Sequence, residues 1–143
     1  INKNVCEKCK SLTKVFLTTI TITITSISEC TSLKEIIIPD SVKSIQYYAF
    51  YECSSLKKFK LSPIITSIDK CTFKNCISLT QILIPASVTS IEKESFMGCT
   101  SLKQLSFENN SLKQVSIPSS VTSVEETTFK DCPFLNPKYI SIG

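Results

Sequence analysis

With 143 residues, 42% of them hydrophobic and 20% charged, the chain is long enough for one domain with its own core and too apolar to be disordered. Only two glycines and no histidine exclude glycine-rich phosphate loops and the usual Ser–His or Cys–His nucleophile pairs. The net charge of +4 is too small by itself to mark a nucleic-acid protein, and no apolar run is long enough to cross a bilayer.

The first stretch is irregular. INKNVCEKC has neither a starting Met nor the basic-then-apolar pattern of a signal peptide, so the chain is expected to be a fragment or a processed product. A strand, LTKVFL, is expected within residues 9–29, followed by the alternating run TTITITIT. From Cys30 the pattern becomes strict. Cys30, Cys53, Cys76 and Cys99 are spaced 23 residues apart, and the segments between them align without gaps. Leu33, Leu56, Leu79 and Leu102 share one column, followed by Ile36, Phe59, Ile82 and Leu105, then by Ile38, Leu61, Ile84 and Phe107.

A self-similar unit of this length cannot bury its apolar face alone, so neighbours must stack into a solenoid. The L-x-x-I-x-I stretch predicts one parallel strand per unit, its aliphatics inward and the residues between them outward. Pro39, Pro85 and Pro118 end that strand. The V-x-x-I stretch (Val42 and Ile45, Ile65 and Ile68, Val88 and Ile91, Val121 and Val124) predicts a second short strand on the opposite wall. A turn or a single helical turn then leads to Phe50, Phe73, Phe96 and Phe129, three residues before the cysteine column.

The spacing breaks after Cys99. Placing Asn109 in the cysteine column restores the 23-residue step to Cys132 and leaves 99–108 as a half unit, one strand without a return path. The expected organisation is a single domain over 1–143 with about five repeats. These are an irregular unit at 9–29, full units at 30–52, 53–75 and 76–98, the half unit at 99–108, a unit at 109–131 and the start of another at 132–143. Neither end shows the polar cap that solenoids need, so native neighbours are expected to be missing or the ends paired with another chain, a route to homo-oligomers.

These columns resemble the BspA-like class of leucine-rich repeats. The class pattern L-x-x-I-x-I-P-x-S-V-x-x-I-x-x-x-A-F-x-x-C-x-S-L is met almost in full from Leu33 to Leu56, and the resemblance covers roughly residues 9–135. Departures are the proline shifted by one at Ser62-Pro63, Asn109 in place of Cys, and Gln46, Asp69, Glu92 and Glu125 where the class has Gly. The resemblance implies a leucine-rich-repeat solenoid, a right-handed superhelix of mostly parallel β-structure with short helical or irregular turns and a curved, concave sheet. It implies a scaffold that binds other proteins, found among surface adhesins and among intracellular proteins, with no catalytic residues and no cofactor.

Eight cysteines could in principle be ligands, redox thiols or disulfide partners. A zinc site needs four Cys or His converging on one point, and the column recurs at the wrong period. Ladder side chains point the same way, which argues against disulfides between neighbours. The column thiols are therefore expected to be free, buried and small-hydrophobe-like. Cys71 is expected to be exposed, since its column holds Tyr48, Glu94 and Thr127. Asn109-Asn110-Ser111 is a glycosylation sequon whose Asn is expected to be buried instead. Glu92, Glu94, Glu125 and Glu126 read as solvated surface.

The outward strand positions form the candidate partner-binding face: Lys34, Ile37, Lys57, Lys58, Lys60, Gln81, Leu83, Lys103, Gln104, Lys113 and Gln114. A line of lysines with flanking apolar points suits an acidic protein partner steered by charge. It equally suits a merely solubilising face, because lysine on a sheet discourages aggregation. Nucleic acid is disfavoured, as no aromatics are interleaved with these lysines. The expected function is a non-enzymatic protein-binding scaffold, with a cell-surface adhesin for host or matrix proteins as the alternative. Unpaired thiols favour a cytoplasmic location, the resemblance a surface one.

Overall fold

β-branched residues at alternating positions hold each stretch extended, and proline or a turn stops it after a few residues, so the strands are short. The computed structural model describes residues 6–17, 23–107, 116–117, 123–124, 127–132 and 141–142. In chain order the strands are β1 (Lys14–Phe16), β2 (Thr23–Ile24), β3 (Glu35–Ile37), β4 (Ser44–Ile45), β5 (Lys58–Lys60) and β6 (Ser67–Ile68). They continue with β7 (Gln81–Ile84), β8 (Ser90–Ile91), β9 (Gln104–Phe107), β10 (Ser116–Ile117), β11 (Ser123–Val124) and β12 (Ser141–Ile142). Every pairing is parallel, as coils stacked in one direction require. The coils thus form a solenoid of stacked parallel strands.

Two walls enclose the core. On the front wall β1 pairs with β3, and β7 with both β5 and β9; on the back wall β2 pairs with β4, and β8 with both β6 and β11. Val15, Ile36, Phe59 and Ile82 point inward from the front, and Ile24, Ile45, Ile68 and Ile91 from the back. Between the walls Phe50, Phe73, Phe96 and Phe129 form a stack with centroids 5.4–5.5 Å apart and planes within 8°. Phe59 meets both Phe50 and Phe73 edge-on at 4.8 Å.

The third side of each coil is built of turns, and no helix occurs among the described residues. Alternate turn residues donate to the next coil: Phe50 N–H to Thr72 O (2.9 Å), Phe73 N–H to Ser95 O (2.8 Å) and Phe96 N–H to Thr128 O (3.0 Å). The residue before each column cysteine takes the left-handed conformation, as Lys8, Glu29, Glu52, Asn75, Gly98 and Asp131 all show. Tyr48, Cys71 and Glu94 form a second such set. Only Gly98 occupies this region without a Cβ cost.

The thiols complete the stacking. Each column Sγ–H donates to a backbone carbonyl of the preceding coil: Cys53 to Ile27 (3.2 Å), Cys76 to Phe50 (3.1 Å), Cys99 to Phe73 (3.1 Å) and Cys132 to Phe96 (3.0 Å). Cys132 thus serves Phe96 as Cys99 serves Phe73. In agreement, Phe129 stacks on Phe96 and β11 pairs with β8. Asn109, with its sequon, lies outside the described residues.

One junction differs from the others. Lys34 N–H donates to Thr13 O, Thr80 N–H to Lys57 O and Lys103 N–H to Thr80 O, leading into the front ladders. No such bond runs from Lys57 to Lys34, and among the described residues no ladder joins β3 to β5 or β4 to β6. This seam separates coil 30–52 from coil 53–75. Side-chain hydroxyls stitch it: Ser55 Oγ donates to Thr31 O (2.5 Å) and Ser62 Oγ to Asp40 O (3.0 Å). Phe59 and the displaced Pro63 both belong to the coil that departs.

Candidate binding face

Because side chains alternate along a strand, residues flanking each buried front-wall position face solvent. Lys34, Lys57, Lys58, Lys60, Gln81 and Lys103 are all exposed, as are Ile37 and Leu83, at 44% and 38%. Register places them in columns: Lys14 opposite Glu35, Gln81 opposite Lys58 on one side and Gln104 on the other, Phe16 opposite Ile37, and Lys60 opposite Leu83. Lys113 and Gln114 lie outside the described residues, and of Gln104 only its place in β9 is described.

Charge on this face is unevenly satisfied. Glu35 is neutralised by Lys14, whose Nζ lies 2.9 Å from its carboxylate and 4.9 Å from the Phe16 ring centre. Lys34, Lys57, Lys58 and Lys60 make no ion pair among the described residues. At the seam the face opens into a groove of ~430 Å³ bordered by Glu35, Ile36, Lys58, Phe59, Lys60 and Leu83, among others. A smaller recess of ~220 Å³ lies beside it against Asp40, Lys60, Pro63, Leu83 and Pro85.

Sequence reasoning missed two exposed features. Phe16, 66% exposed, extends the Ile37 column by one coil; it was hidden because Cys9 to Cys30 spans 21 residues rather than 23, although LTKVFL carries the same order of residues. On the turn side, Tyr47 and Tyr48 meet edge-on at 6.0 Å and Tyr48 and Tyr51 at 5.4 Å.

Cys71 corrects an expectation: it is buried, not exposed. Neighbouring coils cover it, with the Tyr48 side chain against it on one side and the Glu94 carboxylate 3.6 Å from its Sγ on the other. Lys74 Nζ bonds the same carboxylate at 2.7 Å. That bond holds the Glu94 carboxyl below its ordinary range and the Lys74 ammonium above its own, so neither is poised as acid or base at neutral pH.

The buried column cysteines are unsuited to nucleophilic or ligand chemistry, which needs thiolate. All eight are free. Burial pushes Cys53 up to about 12 and Cys132 up to about 11, and it raises Cys76, Cys99 and Cys30 as well. Cys6 is raised by its contact with the Cys9 side chain and by burial. Among the described residues no group of three or more Cys, Asp or Glu could hold a metal ion, and no helix is long and apolar enough to cross a membrane.

Comparison with known proteins agrees with this geometry. The family model described as "BspA type Leucine rich repeat region" matches residues 1–110 in six copies. Among solved structures, the chain is similar to a leucine rich cell surface protein from Faecalibacterium prausnitzii A2-165, at 31% identity and a TM-score of 0.75 over 90% of this chain and 34% of that one. A leucine rich repeat protein of T. pallidum matches at 27% identity and a TM-score of 0.79, over 90% of this chain and 56% of that one. One from Bacteroides ovatus ATCC 8483 matches at 33% identity and a TM-score of 0.67, over 71% of this chain and 27% of that one. The chain thus spans from 34% to 56% of the length of the first two. No curated protein matches it.

Proposed function

Since the chain belongs to the BspA-type leucine-rich repeat family, we propose that it is a non-enzymatic scaffold whose front sheet binds a protein partner of acidic character. One observation carries this reading: Lys34, Lys57, Lys58 and Lys60 are exposed on the one front wall with no acidic partner among the described residues, beside a groove. Unneutralised like charges on one face repel one another, and an acidic surface would relieve that repulsion and be steered toward it.

The test is capture from the native source by the wild-type chain and by a triple variant, Lys57→Glu, Lys58→Glu and Lys60→Glu. The variant is expected to lose the partner while keeping its far-UV circular dichroism, because all three side chains are exposed. Undiminished capture would move the site off this face. A second reading, attachment at a cell surface, is favoured by similarity to a leucine rich cell surface protein. The free state of all eight cysteines favours a reducing compartment instead. Binding of the chain to intact cells, compared with binding to soluble extract, separates the two.

A further inference from the structure

The lysines do not sit on a uniformly polar face, and their neighbours narrow what the partner must offer. One outward column crosses the front wall at the same strand position in each coil: Phe16, Ile37, Lys60 and Leu83. Successive members of such a column are about 4.8 Å apart where strands pair. The column therefore reads apolar, apolar, cationic, apolar along the solenoid, with Lys60 between Ile37 and Leu83 in the order of coils.

Both recesses of this face meet at that lysine. The larger opens at the seam between Ile36 and Phe59, and the smaller lies against Pro63 and Pro85; Lys60 and Leu83 line both. A long lysine stem covers apolar surface while its head seeks an anion. With Glu35 already engaged by Lys14, no carboxylate on this face has been drawn to Lys60. An anion arriving there would be shielded from water by side chains on either side of it, where an unmatched charge costs most and discrimination is greatest.

Resting on the front-sheet reading above, we propose that the partner segment carries a carboxylate flanked on both sides by apolar side chains. The carboxylate pairs with Lys60, with Lys58 beside it, and the apolar neighbours seat on Leu83 and on Ile37, with Phe16 extending the track. A purely acidic segment would leave Ile37, Leu83 and Phe16 uncovered. Phe16 is the one aromatic of this column and stands at its end, while Ile37 and Leu83 offer no platform for successive stacked bases, so the column fits a peptide rather than a nucleic acid.

The experiment is selection of a displayed random linear peptide library on the wild-type chain. Recovered peptides are then measured against Lys60→Gln, Lys60→Arg, Leu83→Ser, Ile37→Ser and the triple Glu variant, each checked for fold by circular dichroism. Expected are peptides with Asp or Glu bracketed by apolar residues, bound about tenfold more weakly by Lys60→Gln and by Leu83→Ser, and restored by Lys60→Arg. Acidic peptides without apolar brackets, or indifferent to Leu83→Ser and Ile37→Ser, would overturn this inference and leave the front-sheet reading standing. Recovery of no peptide, or only of peptides that bind the triple Glu variant equally well, would overturn both. Binding of a random single-stranded DNA oligonucleotide that is lost in Lys60→Gln would replace the peptide by nucleic acid.

Discussion

Alkaline pH should unfold this protein through its thiol column. The Cys53 thiol is fully buried and pushed up to about 12, whereas in the unfolded chain it titrates near the ordinary value of about 8.5. The folded state holds that proton more tightly, so the contribution to stability is complete below about pH 8.5 and drains away as the pH rises toward about 12. At about pH 10 the unfolded thiol has ionised and the folded one has not. At ~1.4 kcal/mol per pH unit, Cys53 alone then costs about 2 kcal/mol. Cys76 and Cys99, raised by the same burial, act in the same direction, and the combined loss becomes comparable with a typical domain stability of about 5–15 kcal/mol. Urea unfolding followed by far-UV circular dichroism at a series of pH values reads this directly. The midpoint should hold steady from neutrality to about pH 8.5 and then fall. In Cys53→Val the fall should be shallower by one thiol's share, whatever the substitution does at neutral pH. A flat midpoint up to about pH 10, or an unchanged slope in Cys53→Val, would refute the reasoning.

Three other outcomes are expected. Phe73 is fully buried between Phe50 and Phe96, so Phe73→Ala should cost about 3–5 kcal/mol of unfolding free energy by urea titration, and a loss below about 1 would contradict the stack. With an aromatic disulfide reagent near neutral pH, the partly exposed Cys6 and Cys9 should react in the folded chain, and the six buried cysteines only after guanidinium is added; rapid labelling of Cys53 or Cys76 in the folded chain would deny the ladder. Glu52 holds a φ of 56°, a conformation that costs a side chain about 1–2 kcal/mol and glycine little. The urea midpoint of Glu52→Gly should therefore rise, and a fall would show that the Glu52 side chain contributes more than its backbone strain removes.

Much of the fold was legible because one period governs it. A 23-residue column with Leu, Ile, Val and Phe at fixed offsets dictates which residues face the core, and Ile36, Phe59, Ile82, Phe50, Phe73 and Phe96 are buried accordingly. The outward lysines were legible for the same reason. Cys71 was not, because the column rule reads the chemistry of Tyr48, Glu94 and Thr127 as solvent-facing. Burial there comes from the adjacent coils, through Tyr48 and the Glu94–Lys74 pair, and no single-coil pattern contains it. The seam was equally hidden, since the register runs unbroken through Cys53 while the strand pairing does not. Only Phe59 among aliphatics and the displaced Pro63 marked that coil as different.

That seam also decides how the stack shares its stability. In an array where each coil touches only its neighbours, the whole holds together no better than its weakest junction transmits. Coil 9–29 is coupled to 30–52, and coil 53–75 to 76–98, through both walls. Between 30–52 and 53–75 the coupling passes through the turns, the Phe50–Phe73 contact and a few hydroxyl bonds. Cooperativity should therefore be lower across this junction than between 53–75 and 76–98, and a sub-global opening that divides the described coils at Cys53 would leave two blocks, each keeping its own paired strands.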